Sequence, residues 1–124
     1  MAFQHAPFLE RLTIKHGFTY MIRSNAIRNS ANGKPCSLNI AHVCNYSTDT
    51  TVFAHFRLPG IAGAALKPSD VLGAYSCSSC HDAIDGRSKL KVSEVDKYYY
   101  LLRGLVRTLE LQHADGVIQI KGAK

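Results

Sequence analysis

The chain has 124 residues, of which 46% are hydrophobic and 19% are charged. This length suits one domain, and the composition excludes the weakly hydrophobic, highly charged class of disordered proteins. Lys and Arg (15) outnumber Asp and Glu (9), so the formal net charge is +6. A polyanion such as nucleic acid is therefore the expected partner.

The N-terminal residues lack the basic stretch and following apolar stretch of a secretory signal. Nowhere do about 18 apolar residues follow one another, as a membrane span requires. We expect a cytoplasmic protein without a membrane partner. It should form a single domain over 1–124, with an N-terminal extension (1–34), a core (35–90) and a C-terminal helix and tail (91–124).

The first elements along the chain are short. Ser24–Ser30 predicts a capped helix that leads to a turn at Asn32-Gly33. The β-branched and aromatic residues of Thr50–Phe56 predict a strand with His55 near its end. A surface loop over Pro59–Asp70 and the apolar run Val71–Tyr75 follow. The order expected here is strand, loop, strand.

A short helix and a long helix complete the prediction. The segment after Cys77 should form two helical turns that end at Gly86, and 93–112 should form an amphipathic helix that begins at Ser93. An edge strand over Val117–Lys121 is also expected. The predicted apolar face of the long helix consists of Val95, Tyr98, Leu102, Leu105, Val106 and Leu109. Its other face, with Lys97, Arg103 and Arg107, could follow a phosphate backbone or simply be solvated.

Four cysteines form two pairs, Cys36-x7-Cys44 and Cys77-x2-Cys80. Two such pairs on separate short loops are typical of a tetrahedral structural zinc site. The alternatives are four free thiols or two disulfides, and a reducing cytoplasm disfavours disulfides. His42, inside the first loop, could replace one thiolate. Because four thiolates leave no open position, this zinc ion would stabilise the fold rather than act on a substrate.

Five segments form a recognisable set: Cys36-x7-Cys44, Thr51–Arg57, Gly60-x2-Gly63, Lys67-Pro68-x-Asp70 and Cys77–Asp85. Together they resemble the HNH, or ββα-metal, endonucleases, and most closely the YbcO-like family of prophage nucleases. The resemblance covers residues 25–90.

The resemblance implies an α+β fold with a zinc-stapled ββα-metal core and a long C-terminal amphipathic helix. His55 stands at the position of the general base, a role that suits imidazole because it titrates near neutrality. His81 stands at the position of a helix-borne metal ligand, and Asp85 lies one turn later on the same face. This pair could hold Mg²⁺ or Mn²⁺, or a softer ion if the imidazole dominates. Alternatively, His81 could donate to a cysteine sulfur and Asp85 could merely end the helix.

Two positions depart from the HNH pattern. Ala54 stands directly before His55, where many such enzymes have an acidic or histidine metal ligand. No asparagine follows Asn45, so the middle asparagine of the signature is missing. Asp70 is the nearest polar candidate for its role.

The function implied is metal-assisted hydrolysis of phosphodiester bonds in DNA, in phage or prophage recombination or DNA processing in a bacterial cell. The residues themselves do not exclude RNA. Arg57, Lys67 and Arg87 could contact phosphate, with solvated charge as the alternative. A rival function is a non-catalytic, zinc-stabilised module that binds nucleic acid or protein, and a third is an adaptor that uses the tyrosines of 98–100. A homodimer is compatible with the sequence.

Overall fold

The computed structural model describes residues 21–58, 68–89 and 91–124. These form a small mixed α/β fold with two strands, β1 (Val52–His55) and β2 (Gly73–Ser76), which pair antiparallel. The helices are α1 (Asn25–Asn29), α2 (Ser78–Ile84) and α3 (Glu94–Ala114), and a 3-10 turn spans Thr48–Thr50. The predicted hairpin, short helix and long C-terminal helix are confirmed in this order.

The helices begin and end where their capping residues predicted. The side chain of Ser24 accepts a hydrogen bond from the N–H of Ile27, and that of Ser93 accepts one from the N–H of Asp96. Gly86 follows α2 with a φ of 74°, in the left-handed region that glycine occupies without strain. Local polar chemistry therefore sets these boundaries.

Strand β2 lies at the centre of the described fold, and all four of its residues are buried. Tyr75 connects this strand to the surrounding elements. Its N–H donates to Oγ1 of Thr108 on α3 at 3.0 Å, and its carbonyl oxygen accepts from the N–H of Ser37 at 2.8 Å. Its hydroxyl donates to Oγ of Ser30 at 2.8 Å. The first cysteine loop (36–44), the end of α1 and α3 are thus held around one strand.

The buried face of α3 differs from the predicted one. Val95 and Leu102, predicted to face the core, are 79% and 64% exposed. Tyr98 and Val106 are also exposed. The helix instead buries Leu101, Gly104, Thr108 and Gln112. Among the described residues, no helix is both long and apolar enough to cross a membrane.

Gly104 explains part of this difference. A Cβ atom at this position would lie 2.5 Å from Cδ2 of Leu38 and 3.2 Å from Cβ of Ala74. The missing side chain lets the backbone of α3 approach β2 and the first cysteine loop. Hydrophobicity alone could not predict this face, because three of its four buried residues are a glycine and two hydrogen-bonding side chains.

The predicted edge strand over Val117–Lys121 is wrong. The N–H of Val117 donates to the carbonyl oxygen of Gln112 at 2.8 Å, and Gly116 has a φ of 74°. These are the features of a Schellman motif, in which the chain folds back on the last helical turn. The apolar residues after Gly116 therefore close the helix instead of pairing with a strand.

The last part of the N-terminal extension packs into the core, since Ile27 and Ala31 are 5% and 0% exposed. The division at residue 34 stays a prediction, as does the single-domain organisation of residues 1–124.

Candidate functional site

The four cysteines lie together, as their spacing predicted. Their sulfur atoms all lie within 4.8 Å of one another, and those of Cys44 and Cys77 are 3.8 Å apart. A tetrahedron with Zn–S bonds of about 2.3 Å has sulfur separations of about 3.8 Å. None of the four forms a disulfide. The cluster could therefore hold a metal ion such as zinc.

Backbone N–H groups point at the sulfurs of this cluster. Sγ of Cys36 accepts from Asn39, Sγ of Cys80 accepts from Ile40, and Sγ of Cys77 accepts from the N–H of Cys80. Asn39 has a φ of 43°, in the left-handed region, which changes the direction of the chain between the N–H groups of Asn39 and Ile40. Such bonds stabilise thiolates, which are the form that binds a metal.

The thiols of the cluster influence one another strongly. A hydrogen bond from the Cys80 thiol lowers the pKa of Cys36, and the same bond raises the pKa of Cys80. Burial raises the pKa of the Cys44 thiol. The cluster without a cation therefore resists full deprotonation, whereas a divalent ion would offset the repulsion between thiolates. This donor set fits zinc, and His42 is exposed and does not belong to it.

Residues of α3 brace the first cysteine loop. Nη2 of Arg103 donates to the carbonyl oxygens of Leu38 and Asn39, at 2.9 Å each. The same guanidinium lies over the ring of Tyr100, and the hydroxyl of Tyr100 accepts from the N–H of Ala41. Arg103 therefore supports the loop, and Tyr100 is half-buried against it while Tyr98 and Tyr99 are exposed.

His55 lies at the end of β1 and contacts a buried carboxylate. Its Nε2 atom is 2.8 Å from Oδ1 of Asp70, whose side chain is 0% exposed. The other carboxylate oxygen accepts from the N–H of Ser24 at 2.6 Å and from Nη1 of Arg28. With Asp70 ionised, Nε2 carries the proton and donates it to this bond, which leaves Nδ1 of His55 as the free acceptor.

Asp70 is held as a carboxylate by these partners. Burial raises its pKa, but the hydrogen bonds from Ser24 and His55 and the charge of Arg28 outweigh burial and lower the pKa below its ordinary value of 3.8. Asp70 therefore stays negative at neutral pH and can fix the orientation of the imidazole.

We expect Asp70→Asn to lower the free energy of unfolding at pH 7 by about 1 to 3 kcal/mol, because three partly buried donors lose their charged, buried acceptor. A carboxyl group whose pKa is lowered in the folded protein stabilises the fold at pH values above its ordinary pKa. This contribution is lost as the pH falls through the pKa that the group has in the folded protein. The difference between the two proteins should therefore shrink below about pH 4. Urea unfolding of both proteins between pH 7 and pH 3.5 measures it. Equal stabilities at pH 7 would contradict this account.

The neighbours of His55 restrict its ring. Phe53, on the same face of β1, contacts the imidazole edge-to-face, with ring centroids 5.1 Å apart. Gly73 is the cross-strand partner of His55. A Cβ at this glycine would lie 2.6 Å from the carbonyl oxygen of Ala54 and 2.7 Å from Cε2 of Phe53. Only glycine leaves room for this arrangement.

His81 and Asp85 meet at the end of α2, as their spacing predicted. Nε2 of His81 is 3.2 Å from Oδ2 of Asp85, and both side chains are partly exposed. Neighbouring ligands of an octahedral ion at about 2.1 Å are about 3.0 Å apart, so this pair fits such a site. Nη1 of Arg87 also contacts Oδ2 of Asp85, at 2.9 Å.

A small cavity of about 30 Å³ brings the two parts of the site together. His55 and Asp85 both line it, with Arg57 beside them. Lys97 of α3 also lines this cavity, and it lines a second cavity of about 210 Å³ together with Asp85. The candidate base and Asp85, one of the two candidate metal ligands, therefore line the same cleft, which consists of these two cavities.

The three basic residues predicted to contact phosphate differ in their surroundings. Arg57 is exposed, lines the cavity beside His55, and forms no ion pair with any residue of the described ranges. Arg87 is bonded to Asp82 and Asp85, so a phosphate would compete with two carboxylates for it. Lys67 lies outside the described residues. All three assignments stay predictions.

Sequence reasoning missed Arg28 and Ser24, which hold Asp70 from α1. They lie 42 and 46 positions before Asp70, and no local pattern links such distant residues. It also placed Lys97 on the solvated face of α3, whereas Lys97 lines the cleft.

The family model described as "Putative nuclease YbcO" matches residues 25–117. The chain belongs to this family. The match includes α1, the hairpin, all four cysteines, α2 and the whole of α3.

Relatives agree with this assignment. Proteins named "Putative nuclease YbcO" from Escherichia coli (strain K12) and from Enterobacteria phage 82 are each 38% identical over 96 residues, which is 75% of this chain and 96% of each relative. A solved structure described as "Structure of a putative bacteriophage protein from Escherichia coli str. K-12 substr. MG1655" is similar with a TM-score of 0.62 and 35% identity. It covers 73% of this chain and 100% of its own.

Proposed function

We propose that this member of the YbcO family is a metal-dependent endonuclease of the HNH type that hydrolyses phosphodiester bonds in DNA. One observation carries the proposal. His55, bonded to a buried carboxylate, lines the same cavity as Asp85, which is bonded to His81. The candidate base and one of the two candidate metal ligands therefore line one cavity. The relatives' names and the net charge of +6 also support a nucleic-acid substrate.

His55 is the general base of the proposed reaction. Its Nδ1 atom accepts a proton from water while the water oxygen forms a bond to phosphorus. The bond from phosphorus to the leaving 3′ oxygen breaks, and solvent protonates this oxygen. Asp70 accepts the Nε2–H of the imidazole and stabilises the positive charge that the ring acquires. Arg28 and Ser24 hold Asp70 in place, so they act through it.

His81 and Asp85 would hold Mg²⁺ or Mn²⁺ at the end of α2. When bound, such an ion polarises the phosphate and stabilises the leaving oxygen. The order of β1, β2 and α2 along the chain supports this metal site, since a ββα-metal site consists of two strands followed by a helix. The four cysteines would hold a structural Zn²⁺ beside it, because Cys80 directly precedes His81. We also propose that the protein processes DNA for a phage or prophage in the bacterial cytoplasm, and the relatives' names support a nuclease and an association with phage.

The proposal predicts that purified protein nicks supercoiled plasmid in Mg²⁺ or Mn²⁺ and not in EDTA. Asp85→Asn should lower the nicking rate by about 100-fold, because it removes a charged ligand of the ion. The measurement is conversion of supercoiled to open circular DNA over time.

Asp82→Asn is the matched control, since Asp82 lies on the same helix and also binds Arg87. It should nick like the wild type. Equal rates for Asp85→Asn and Asp82→Asn would reject the assigned ligand, and cleavage that persists in EDTA would reject metal dependence.

A non-catalytic module that binds nucleic acid or protein is the second candidate. Ala54 favours it, because this residue is 1% exposed and offers no ligand directly before His55. This function predicts tight DNA binding with no cleavage of double-stranded, single-stranded or branched DNA in any metal. If the substrate is RNA, the same assay with RNA in place of DNA should show cleavage.

A further inference from the structure

Lys97 occupies an unusual position for a lysine on a surface helix. It precedes Leu101, Gly104 and Thr108 by four, seven and eleven residues, and all three are buried. Lys97 therefore continues the buried face of α3 rather than its solvated face. It is half-buried at the point where the core ends and the cleft begins.

The surroundings of Lys97 favour an anionic ligand. It lines both cavities of the cleft, with His55 and Asp85 in the smaller one. In the described part of the chain it forms no ion pair. The nearby carboxylate of Asp85 already contacts His81 and Arg87, and Glu94, which lines the larger cavity, forms no ion pair with Lys97. A half-buried lysine without a carboxylate partner in the described ranges is best stabilised by an anion that enters the cleft.

We propose that Lys97 binds the scissile phosphate of the nucleic-acid strand, next to the water that His55 activates. This inference rests on the proposed nuclease function and adds a residue to its substrate site. A phosphodiester in the cleft would place its non-bridging oxygens between the candidate metal ligands and Lys97. The ammonium group is a compact point charge that needs no fixed planar geometry.

The position of Lys97 predicts that it stabilises mainly the transition state of the cleavage reaction. Negative charge on the phosphoryl oxygens grows as water attacks, and a cation that is already in place stabilises this charge without reorganisation. Lys97 should therefore contribute more to kcat than to KM. Arg57 lies on the same cavity but is exposed, so it should contribute more to binding than to the chemical step.

The test compares Lys97→Gln and Lys97→Arg with Lys121→Gln, which removes the same charge from an exposed residue that lines neither cavity. In Mg²⁺, Lys97→Gln should lower the single-turnover cleavage rate by about 100-fold. Lys97→Arg should recover a large part of that rate, and Lys121→Gln should leave it unchanged. Equal rates for Lys97→Gln and Lys121→Gln would overturn the proposal, provided that circular dichroism shows both to be folded.

Binding of zinc-loaded protein to a short DNA duplex, in buffer with neither Mg²⁺ nor Mn²⁺ and without chelator, gives a second readout that needs no turnover. Lys97→Gln should reduce the slope of log affinity against log salt by about one relative to Lys121→Gln. If the wild type cleaves nothing in any metal, the nuclease function fails, and this slope still decides whether Lys97 binds phosphate. Identical slopes for the two variants would overturn the role of Lys97 even if the wild type is a nuclease.

Discussion

His55→Ala should lower the rate of DNA cleavage by about 1,000-fold or more, because the attacking water then loses its positioned base. The zinc content and the circular dichroism spectrum should stay unchanged. His55 is only half-buried, and Asp70 keeps its bonds to Ser24 and Arg28 when the imidazole is removed. The measurement is single-turnover nicking in saturating Mg²⁺, with wild type and variant at equal concentration.

His113→Ala is the control for this variant. It removes an imidazole from the far end of α3, a position that lines neither cavity of the cleft. We expect its cleavage rate to match that of the wild type. If His55→Ala also cleaved at the wild-type rate, the base would have to be another group, and the bond between Asp70 and His55 would be structural only.

Removal of the metal from the four-cysteine cluster should unfold the hairpin and α2. Structural zinc binds small domains with roughly 10 to 16 kcal/mol, which equals or exceeds the roughly 5 to 15 kcal/mol of net stability of a typical domain. Cys77 and Cys80 are both 0% exposed at the centre of the core. Four unpaired thiols there could not replace the bonds to an ion. The strands have four residues each and α2 has seven, too few to persist alone.

The measurement has three parts. The purified protein should contain one zinc ion per chain by elemental analysis. A strong chelator should abolish the cooperative thermal transition, and Cys80→Ser should have the same effect without chelator. Added Zn²⁺ should restore the transition of the wild type, whereas Mg²⁺ should not. A protein that contains no zinc and melts identically with and without chelator would contradict the structural role of the cluster.

The elements were predictable where local chemistry determines them. Ser24 and Ser93 cap helices through their own side chains, and Gly86 and Gly116 end helices through a positive φ. The four cysteines were predictable as a cluster because only a few kinds of site use two cysteine pairs. His81 and Asp85 were predictable as a pair because four residues make one helical turn.

The orientation of α3 was not predictable in the same way. Four of the six residues predicted to form its apolar face are exposed, while Leu101, Gly104, Thr108 and Gln112 are buried. The reason lies in β2, since Thr108 bonds the N–H of Tyr75 and Gly104 admits a close approach. Hydrophobic periodicity measures the average polarity of a face, whereas here shape and individual hydrogen bonds decide.

The contacts of Asp70 show that the geometry of the candidate site was also not predictable from periodicity. Asp70 was a candidate on sequence position alone, and its bond to His55 spans fifteen residues. Its bond to Arg28 spans 42 residues and joins a helix of the N-terminal extension to the hairpin. Contacts of this kind depend on how the elements pack, and the sequence contains no periodic pattern that reports them.

The orientation of the candidate base also depends on a position that contributes no side-chain atom. Gly73 faces His55 across the hairpin, and the space it leaves is filled by the ring of Phe53, which contacts the imidazole. An added methyl group there would press on Phe53 and on the backbone before His55. A screen that inspects only polar residues would therefore overlook one of the positions where a single substitution can disable the protein, since what matters at residue 73 is empty volume.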